Sequence, residues 1–211
     1  MSAVLTSSTA ADGHRAIIVA ALMATFMQAA TISLPNAALL HIQGTLSMAD
    51  DEVGWIFTSY ITASVITMTV TRWLAGRYGR KAVYQVSIAI FALGLVLATR
   101  AVTPLQFIVA RVVQGGASGP LAPLSFAILL DILPPLRHAR INTVAAVTVL
   151  IGLLSGPSIG GWLSEYHDWR SMFYLGLPMT GFIFLAMALS LPETRTGQSP
   201  PFDFFGLTTF S

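Results

Sequence analysis

Six long apolar runs constrain this chain more than any other feature, and a single charged residue, Arg111, lies inside one of them. Each run is about as long as the roughly 20 residues that a helix needs to cross a bilayer. The runs cover residues 16–40, 53–71, 82–99, 101–130, 141–164 and 171–192, and are called spans 1 to 6. The pattern predicts an all-α polytopic membrane protein with six transmembrane helices.

The composition supports this class and excludes others. Hydrophobic residues make up 55% of the 211 residues and charged residues 9%, whereas a soluble domain is usually about 25% charged. There is no cysteine, and the four histidines fall at or beyond the ends of the spans, so we predict no metal site and no cofactor. A net charge of +2 gives no reason to expect nucleic acid as a partner. The predicted surroundings are the lipid bilayer.

The basic residues predict the topology. Of the 11 Lys and Arg residues, only Arg100 and Arg170 fall in loops on one side, and Arg111 lies inside span 4. The others share the opposite side, which is therefore predicted to be cytoplasmic, with both termini on that side of the cell inner membrane. The expected organisation is a tail over 1–15, a six-helix bundle over 16–192, a polar cytoplasmic linker over 193–203 and the start of a truncated seventh helix over 204–211.

Arg111 is the first candidate functional residue. A charge within the hydrocarbon costs roughly 3 kcal/mol on insertion scales, so such a residue usually has a use. Gln114 follows within about one helical turn and can share a face with the guanidinium. The alternative is that Arg111 extends its side chain to the outer headgroups.

Spans 5 and 1 carry two further patterns. Gly152, Gly156 and Gly160 are spaced by four and form one smooth stripe, beside Gly161 and the helix-bending Pro157. The stripe indicates a close helix contact, which could be ordinary packing within the bundle.

Span 1 carries Gln28, Thr31 and Asn36, which could line a cavity or make hydrogen bonds between helices without any ligand.

Enzyme chemistry is not indicated. No histidine or carboxylate lies in the middle of a span, as an intramembrane protease would require. The string from Gly116 to Pro120 departs from the G-x-S-x-G nucleophile motif at its last position. We therefore predict that the chain is not an enzyme.

Three motifs carry a family resemblance. Arg111-Val112-Val113-Gln114-Gly115 precedes Gly119, Pro120 and Pro123 in span 4, the glycines and Pro157 mark span 5, and Trp73-Leu74-Ala75 precedes Arg77, Gly79, Arg80 and Lys81 in the loop after span 2. Together they resemble the amino-terminal half of a major facilitator superfamily transporter, and more closely the EmrB/QacA-type branch of multidrug:proton antiporters. Phe26-Met27-Gln28 in span 1 and Asp168-Trp169-Arg170 before span 6 also resemble that branch.

The resemblance implies two inverted three-helix repeats and a specific set of roles. It implies proton coupling through Arg111 with Gln114, a cavity lined by Gln28, Thr31 and Asn36, and a gating loop of Arg77, Gly79, Arg80 and Lys81. It also implies that the span 5 motif of Gly152, Gly156, Pro157, Gly160 and Gly161 meets a second half. The implied activity is proton-coupled efflux of small hydrophobic or cationic drugs by alternating access. The implied partners are substrate, protons, the missing carboxyl-terminal half and a periplasmic adaptor.

The sequence departs from that branch at three points. Arg72 and Gly76 stand where the loop motif usually has a glycine and an acidic residue, and Thr31 stands where span 1 commonly has an aspartate. The chain also supplies only one of two six-helix halves. The alternative hypothesis is a non-transporting scaffold or regulatory half, or the product of a truncated gene.

Overall fold

The computed structural model describes the backbone of residues 2–191 and the side chains of residues 13–191. Every regular element in this part of the chain is helical. The helices are α1 (Ser2–Ala37), α2 (Leu39–Leu46), α3 (Trp55–Tyr78), α4 (Arg80–Arg100), α5 (Pro104–Ser118), α6 (Leu121–Ile132), α7 (His138–Tyr166) and α8 (Ser171–Ser190), with a 3₁₀ turn at Pro135–Arg137. The predicted linker and seventh helix, 193–203 and 204–211, lie outside the described residues.

The predicted spans correspond to these helices. Within the described residues, five stretches are long and apolar enough to cross a membrane: Gly13–Ala37, Arg80–Arg100, Pro104–Ile132, Pro135–Tyr166 and Ser171–Ser190. Span 2 corresponds to α3, whose 24 residues give a length of about 36 Å. Its threonines and serines make α3 less apolar than the other five. The predicted all-helical polytopic class is confirmed.

Two spans are interrupted near prolines, which lack a backbone donor. In span 1, α1 ends at Ala37, two residues after Pro35, and the chain continues as α2 from Leu39. Span 4 breaks between Ser118 and Leu121, because Pro120 and Pro123 have no N–H for the helical ladder. A carbonyl left without a partner is costly inside a membrane. The side-chain amide of Gln28 on α1 donates to the carbonyl of Ser118 at 3.1 Å and so gives a partner to one carbonyl at the break.

The helix pairs follow a two-fold pattern. The most extensive pairs are α1 with α7 and α3 with α5, followed by α4 with α5 and α1 with α8. The α4–α8 pair is also extensive, whereas α3–α4 and α7–α8 touch only lightly. If spans 1–3 and 4–6 are exchanged as two repeats, each pair maps onto its counterpart, with α4–α8 mapping onto itself. This is the pairing expected of two three-helix repeats.

An aromatic cluster fixes one end of α5 in this arrangement. Phe107 contacts Trp169 and Phe173 edge to face, with ring centroids 5.4 and 5.8 Å apart. Next to the cluster, the Arg170 guanidinium donates to the carbonyl of Ala101 at 2.9 Å, just before α5. Such ring geometries add to the burial of apolar area. The cluster therefore holds the start of α5 against the start of α8, with Arg111 one turn further along α5.

Candidate functional site around Arg111

Arg111 is completely buried, with 0% of its surface exposed, although no second bundle is present. Its Nε donates to the carbonyl of Ile56 at 3.1 Å, and its Nη1 donates to Oε1 of Gln114 at 2.6 Å. The guanidinium carbon lies 4.3 Å from the centroid of the Tyr60 ring. The side chain is therefore directed into the bundle, and the headgroup alternative is wrong for this structure.

Glycines allow the helices around Arg111 to approach each other closely. A Cβ at Gly115 would lie 2.8 Å from both the Cα and the carbonyl carbon of Tyr60. A Cβ at Gly94 on α4 would lie 3.0 Å from the Cα of Gln114. The distances at Gly115 are too short for a real side-chain carbon, so a larger residue there would push α3 away. The distance at Gly94 is at the tight limit of real contacts, so a larger residue there would require Gln114 to shift slightly. The absence of these side chains brings Tyr60 and Gln114 to the guanidinium.

The positive charge of Arg111 is held by neutral groups alone within the described residues. The carboxylates that form ion pairs there are Asp131 with Arg80 and Asp168 with Arg170. Desolvated cation–π contacts contribute roughly 2 kcal/mol, and hydrogen bonds to charged groups roughly 1.5–3 kcal/mol. These contacts stabilise a buried cation without neutralising it. Nη2 of Arg111 and Nε2 of Gln114 are buried without a hydrogen-bond partner.

The span 1 candidates do not form one polar lining. Gln28 is half-buried and bonds to the span 4 break, as described above. Thr31 is buried, and its hydroxyl donates to the Met27 carbonyl of its own helix at 2.7 Å. Asn36 is exposed near the end of α1.

Thr31 does border a cavity, but the cavity has a volume of about 40 Å³. It lies between α1, α4, α7 and α8, and almost all its lining is apolar. Pockets for drug-sized ligands measure roughly 300–1,000 Å³. The cavity beside Thr31 is therefore too small to be the substrate site of a drug transporter, and the lining roles of Gln28 and Asn36 stay predictions.

The glycine stripe of α7 is filled by α1 of the same bundle. Cβ atoms at Gly152 and Gly160 would lie 2.7 Å from the carbonyl oxygen of Phe26 and 2.5 Å from that of Leu34. A Cβ at Gly156 would lie 2.9 Å from the backbone nitrogen of Leu34. The stripe therefore packs against a helix of the same bundle, which is one of the two possibilities that the sequence allowed. The surface of the stripe is covered by α1 and is not available to a second half.

The other two residues of the span 5 motif lie differently. Pro157 is exposed, on a part of α7 that α1 does not cover. Gly161 is half-buried, and a Cβ there would be in ordinary contact with that of Ala37, at 3.6 Å. Contact between this motif and a second half therefore stays a prediction, and the exposed face of α7 that includes Pro157 is the part of the motif that could make it.

Directly after the turn that follows α3, α4 takes part in an ion pair that the sequence did not reveal. Arg80, in the first turn of α4, pairs with Asp131 near the end of α6. Gly79 makes the turn with φ 87°, a conformation that favours glycine. The Arg77 guanidinium stacks against Trp73 and Tyr78, with its carbon 5.7 and 5.8 Å from the ring centroids. Lys81 is half-exposed beside Arg80.

Sequence reasoning missed Tyr60 and Asp131. Tyr60 lies 51 positions before Arg111 in a threonine-rich span, and nothing local marks it. The position of Asp131 could have predicted the pair. Asp131 directly follows the charge-free end of span 4, on the same predicted side of the membrane as Arg80.

The fold and the buried arginine define a polytopic membrane helix bundle with a charged residue in its core, and comparison with known proteins gives its family. The family described as the Major Facilitator Superfamily matches residues 21–207. The chain therefore belongs to the major facilitator superfamily.

Relatives from Escherichia coli (strain K12) place it more narrowly. The chain is 33% identical over 185 residues to the probable multidrug resistance protein EmrY, covering 88% of this chain and 36% of EmrY. It is 31% identical over 189 residues to the multidrug export protein EmrB, covering 88% of this chain and 37% of EmrB. The resemblance to the EmrB type is confirmed, and the chain spans little more than a third of each relative.

A solved structure shows the same fold. The proton:xylose symporter XylE, bound to 6-bromo-6-deoxy-D-glucose, superposes with a TM-score of 0.76 at 12% identity. The match covers 89% of this chain and 48% of XylE. The six-span bundle is therefore one half of a major facilitator fold.

Proposed function

We propose that this chain is the amino-terminal half of a secondary active transporter that exports small hydrophobic or cationic drugs in exchange for protons. Similarity to multidrug export proteins supports the substrate class. Alternating access requires this half to rock against a carboxyl-terminal half around a shared central site. The partners we propose are the drug, protons, that second half and a periplasmic adaptor.

The observation that carries the proposal is the buried, unneutralised guanidinium of Arg111. Keeping a charge in such a place costs several kcal/mol unless it is well compensated, and here only neutral groups surround it. A fixed positive charge raises the free energy of other cations nearby and lowers that of anions. In our proposal, Arg111 responds to protonation of a carboxylate elsewhere in the transporter. Spans 1 to 6 contain no carboxylate, so we place the proton carrier in the second half.

We further propose that the Arg80–Asp131 pair forms part of a cytoplasmic gate. The pair ties the start of α4 to the end of α6, close to the turn at Gly79. Both partners are partly exposed, with side-chain exposures of 32% and 56%, so the pair is worth less than about 1 kcal/mol. A contact that weak can break and re-form during a transport cycle. Arg77, Gly79 and Lys81 belong to the same proposed gate.

The orientation can be tested directly, because the chain contains no cysteine. With both termini cytoplasmic in the inner membrane, a cysteine replacing Ala49 should react with an impermeant maleimide added to whole cells. A cysteine replacing Ser199 should react only after the cells are opened. Labelling of both positions from the same side would contradict the proposed topology.

The activity is tested in cells that lack their own drug pumps. Residues 1–211 are expressed alone and joined to a carboxyl-terminal half, either one encoded downstream of this chain or that of EmrB. We call the joined form the completed transporter. Only the completed transporter should export a dye above background, and an uncoupler should abolish that export.

The other outcomes separate the alternatives. Uncoupler-sensitive export by residues 1–211 alone would mean that two copies form a transporter and would contradict the half-transporter proposal. No export by either form, with normal amounts in the membrane, would favour a non-transporting scaffold or regulatory role.

A further inference from the structure

Tyr60 has no role in any motif of the sequence, yet it forms one wall of the Arg111 site. It is completely buried on α3, and its ring lies under the guanidinium at 4.3 Å. Ile56, one turn earlier on α3, provides the carbonyl that accepts from Nε of Arg111. A single turn of α3 thus contacts the cation through both a backbone oxygen and an aromatic face.

Of these two contacts, the ring is the one that a substitution can remove, because the Ile56 carbonyl belongs to the backbone. If Tyr60 were a small aliphatic residue, the guanidinium would keep only the Ile56 carbonyl and the Gln114 amide oxygen. No carboxylate within the described residues would replace the lost contact. The planar guanidinium would then lack the surface that fixes its tilt, and it could turn about the Cδ–Nε bond.

The hydroxyl group of Tyr60 contributes much less than its ring. It is buried close to Ser118 but forms no hydrogen bond of normal length. The contact to Arg111 goes through the face of the ring, which phenylalanine also possesses. Substitution by phenylalanine should therefore preserve the contact, whereas an aliphatic residue should remove it.

We infer that Tyr60 is the positioning residue for Arg111, holding the guanidinium in the orientation that proton-coupled transport requires. This inference rests on the proposed function, since it assigns Tyr60 to the working of the same site. Tyr60 contacts neither substrate nor proton in this role and acts through Arg111 alone.

A spectroscopic experiment tests the positioning without any need for transport. Residues 1–211 are prepared in detergent micelles with ¹⁵N-labelled arginine, and the Arg111 side-chain signals are assigned by their loss in Arg111→Lys. Protons above an aromatic ring are shifted upfield, so the Nη signals of Arg111 should be upfield of those of exposed arginines. The shift should persist in Tyr60→Phe and disappear in Tyr60→Leu.

Tyr84 provides a matched control, as a second completely buried tyrosine one helix away. Its hydroxyl bonds to Ser125 at 3.0 Å, and its ring has no cation above it among the described contacts. Tyr84→Leu should reduce thermal stability while the Arg111 signals keep their upfield shift. Loss of the shift in Tyr84→Leu as readily as in Tyr60→Leu would show a general loosening of the bundle and overturn the inference.

The completed transporter provides the functional arm. Tyr60→Leu should reduce proton-driven efflux at least about tenfold, in line with the loss of a desolvated cation–π contact. The loss should appear in the maximal rate, with the half-saturating dye concentration unchanged. Tyr60→Phe should stay within about twofold of the unsubstituted protein.

The two arms separate the possible failures. Normal efflux in Tyr60→Leu, or an unshifted Arg111 signal in the unsubstituted chain, would overturn the inference. If the unsubstituted completed transporter exported nothing, the proposed function would fail, and with it the role of Tyr60 in transport. The spectra would still decide whether the ring positions Arg111.

Discussion

The contacts of α3 with α5 and of α1 with α7 occupy equivalent places in the two three-helix repeats, but they differ in chemistry. Both are made by glycines that admit a neighbouring backbone: Gly115 on α5 with Gly119 directly after it, and the stripe on α7. The α3–α5 contact encloses a cation. In the α1–α7 contact, the buried polar group is Ser33, whose hydroxyl lies 3.2 Å from the Ala30 carbonyl of its own helix.

The difference between the two contacts distinguishes features that belong to the fold from features that we expect to serve transport. Close packing through glycine is common to both contacts, so it is a property of the fold. The buried charge occurs in one repeat only, and the fold does not require it. Substitutions in the α1–α7 contact should therefore act on stability, while those around Arg111 should act on transport.

The largest expected effect is at Arg111. Arg111→Lys keeps a positive charge but loses the planar group that contacts Ile56, Gln114 and Tyr60 together. We expect the completed transporter to lose dye efflux to background while its amount in the membrane stays near normal. Arg111→Ala should do the same. Efflux at the unsubstituted rate in Arg111→Ala would show that the two repeats do not differ in function.

A smaller effect, on stability, is expected at Gly156. Gly156→Leu would force side-chain atoms into Ser33 and Leu34 of α1, and overpacking of this kind costs about 1–3 kcal/mol. The midpoint of thermal unfolding of residues 1–211 should fall. Gly181→Leu is the matched control, because a Cβ there meets nothing within 4 Å. Equal midpoints for the two variants would mean that α1 does not fill the stripe.

The smallest effect is expected at Ser33. The Ser33 hydroxyl lies 3.4 Å from the Gly152 carbonyl on α7, which makes this a long hydrogen bond between the helices. The carbonyls that the hydroxyl approaches on α1 already accept backbone hydrogen bonds of that helix. Ser33→Ala should change the unfolding free energy by about 1 kcal/mol or less, the net contribution of a single hydrogen bond, and leave efflux unchanged. A large loss of efflux would place a functional group in both repeats and remove the contrast.

The sequence predicted those parts of the molecule that depend on local pattern. The apolar runs gave the helices, and the spacing of Arg111 and Gln114 gave a contact that the structure contains, at 2.6 Å. The prolines after Gly119 lie where span 4 is interrupted. These features follow from helical periodicity and from backbone donors, which a single sequence displays.

Partners distant in the chain could not be predicted in the same way. The glycine stripe indicated a close contact, but periodicity says nothing about which helix fills it, and α1 rather than a second half does so. Tyr60 became part of the site only because Gly115 and Gly94 bring three helices together. The polar residues of span 1 were candidates for lining a cavity or for bonding between helices. In the structure, Gln28 bonds to the broken span 4 and Asn36 is exposed.

The hydrogen bond from Gln28 to Ser118 also bears on the order of assembly. A chain enters the membrane from its amino terminus, so α1 is in place before span 4 is made. The break between Ser118 and Leu121 would enter the hydrocarbon with a free carbonyl if no donor were waiting there. Gln28 belongs to a helix that is synthesised before span 4, so its amide is available when the broken span arrives. An earlier helix of the nascent chain can thus provide the hydrogen-bond donor that a later, interrupted span needs in the hydrocarbon.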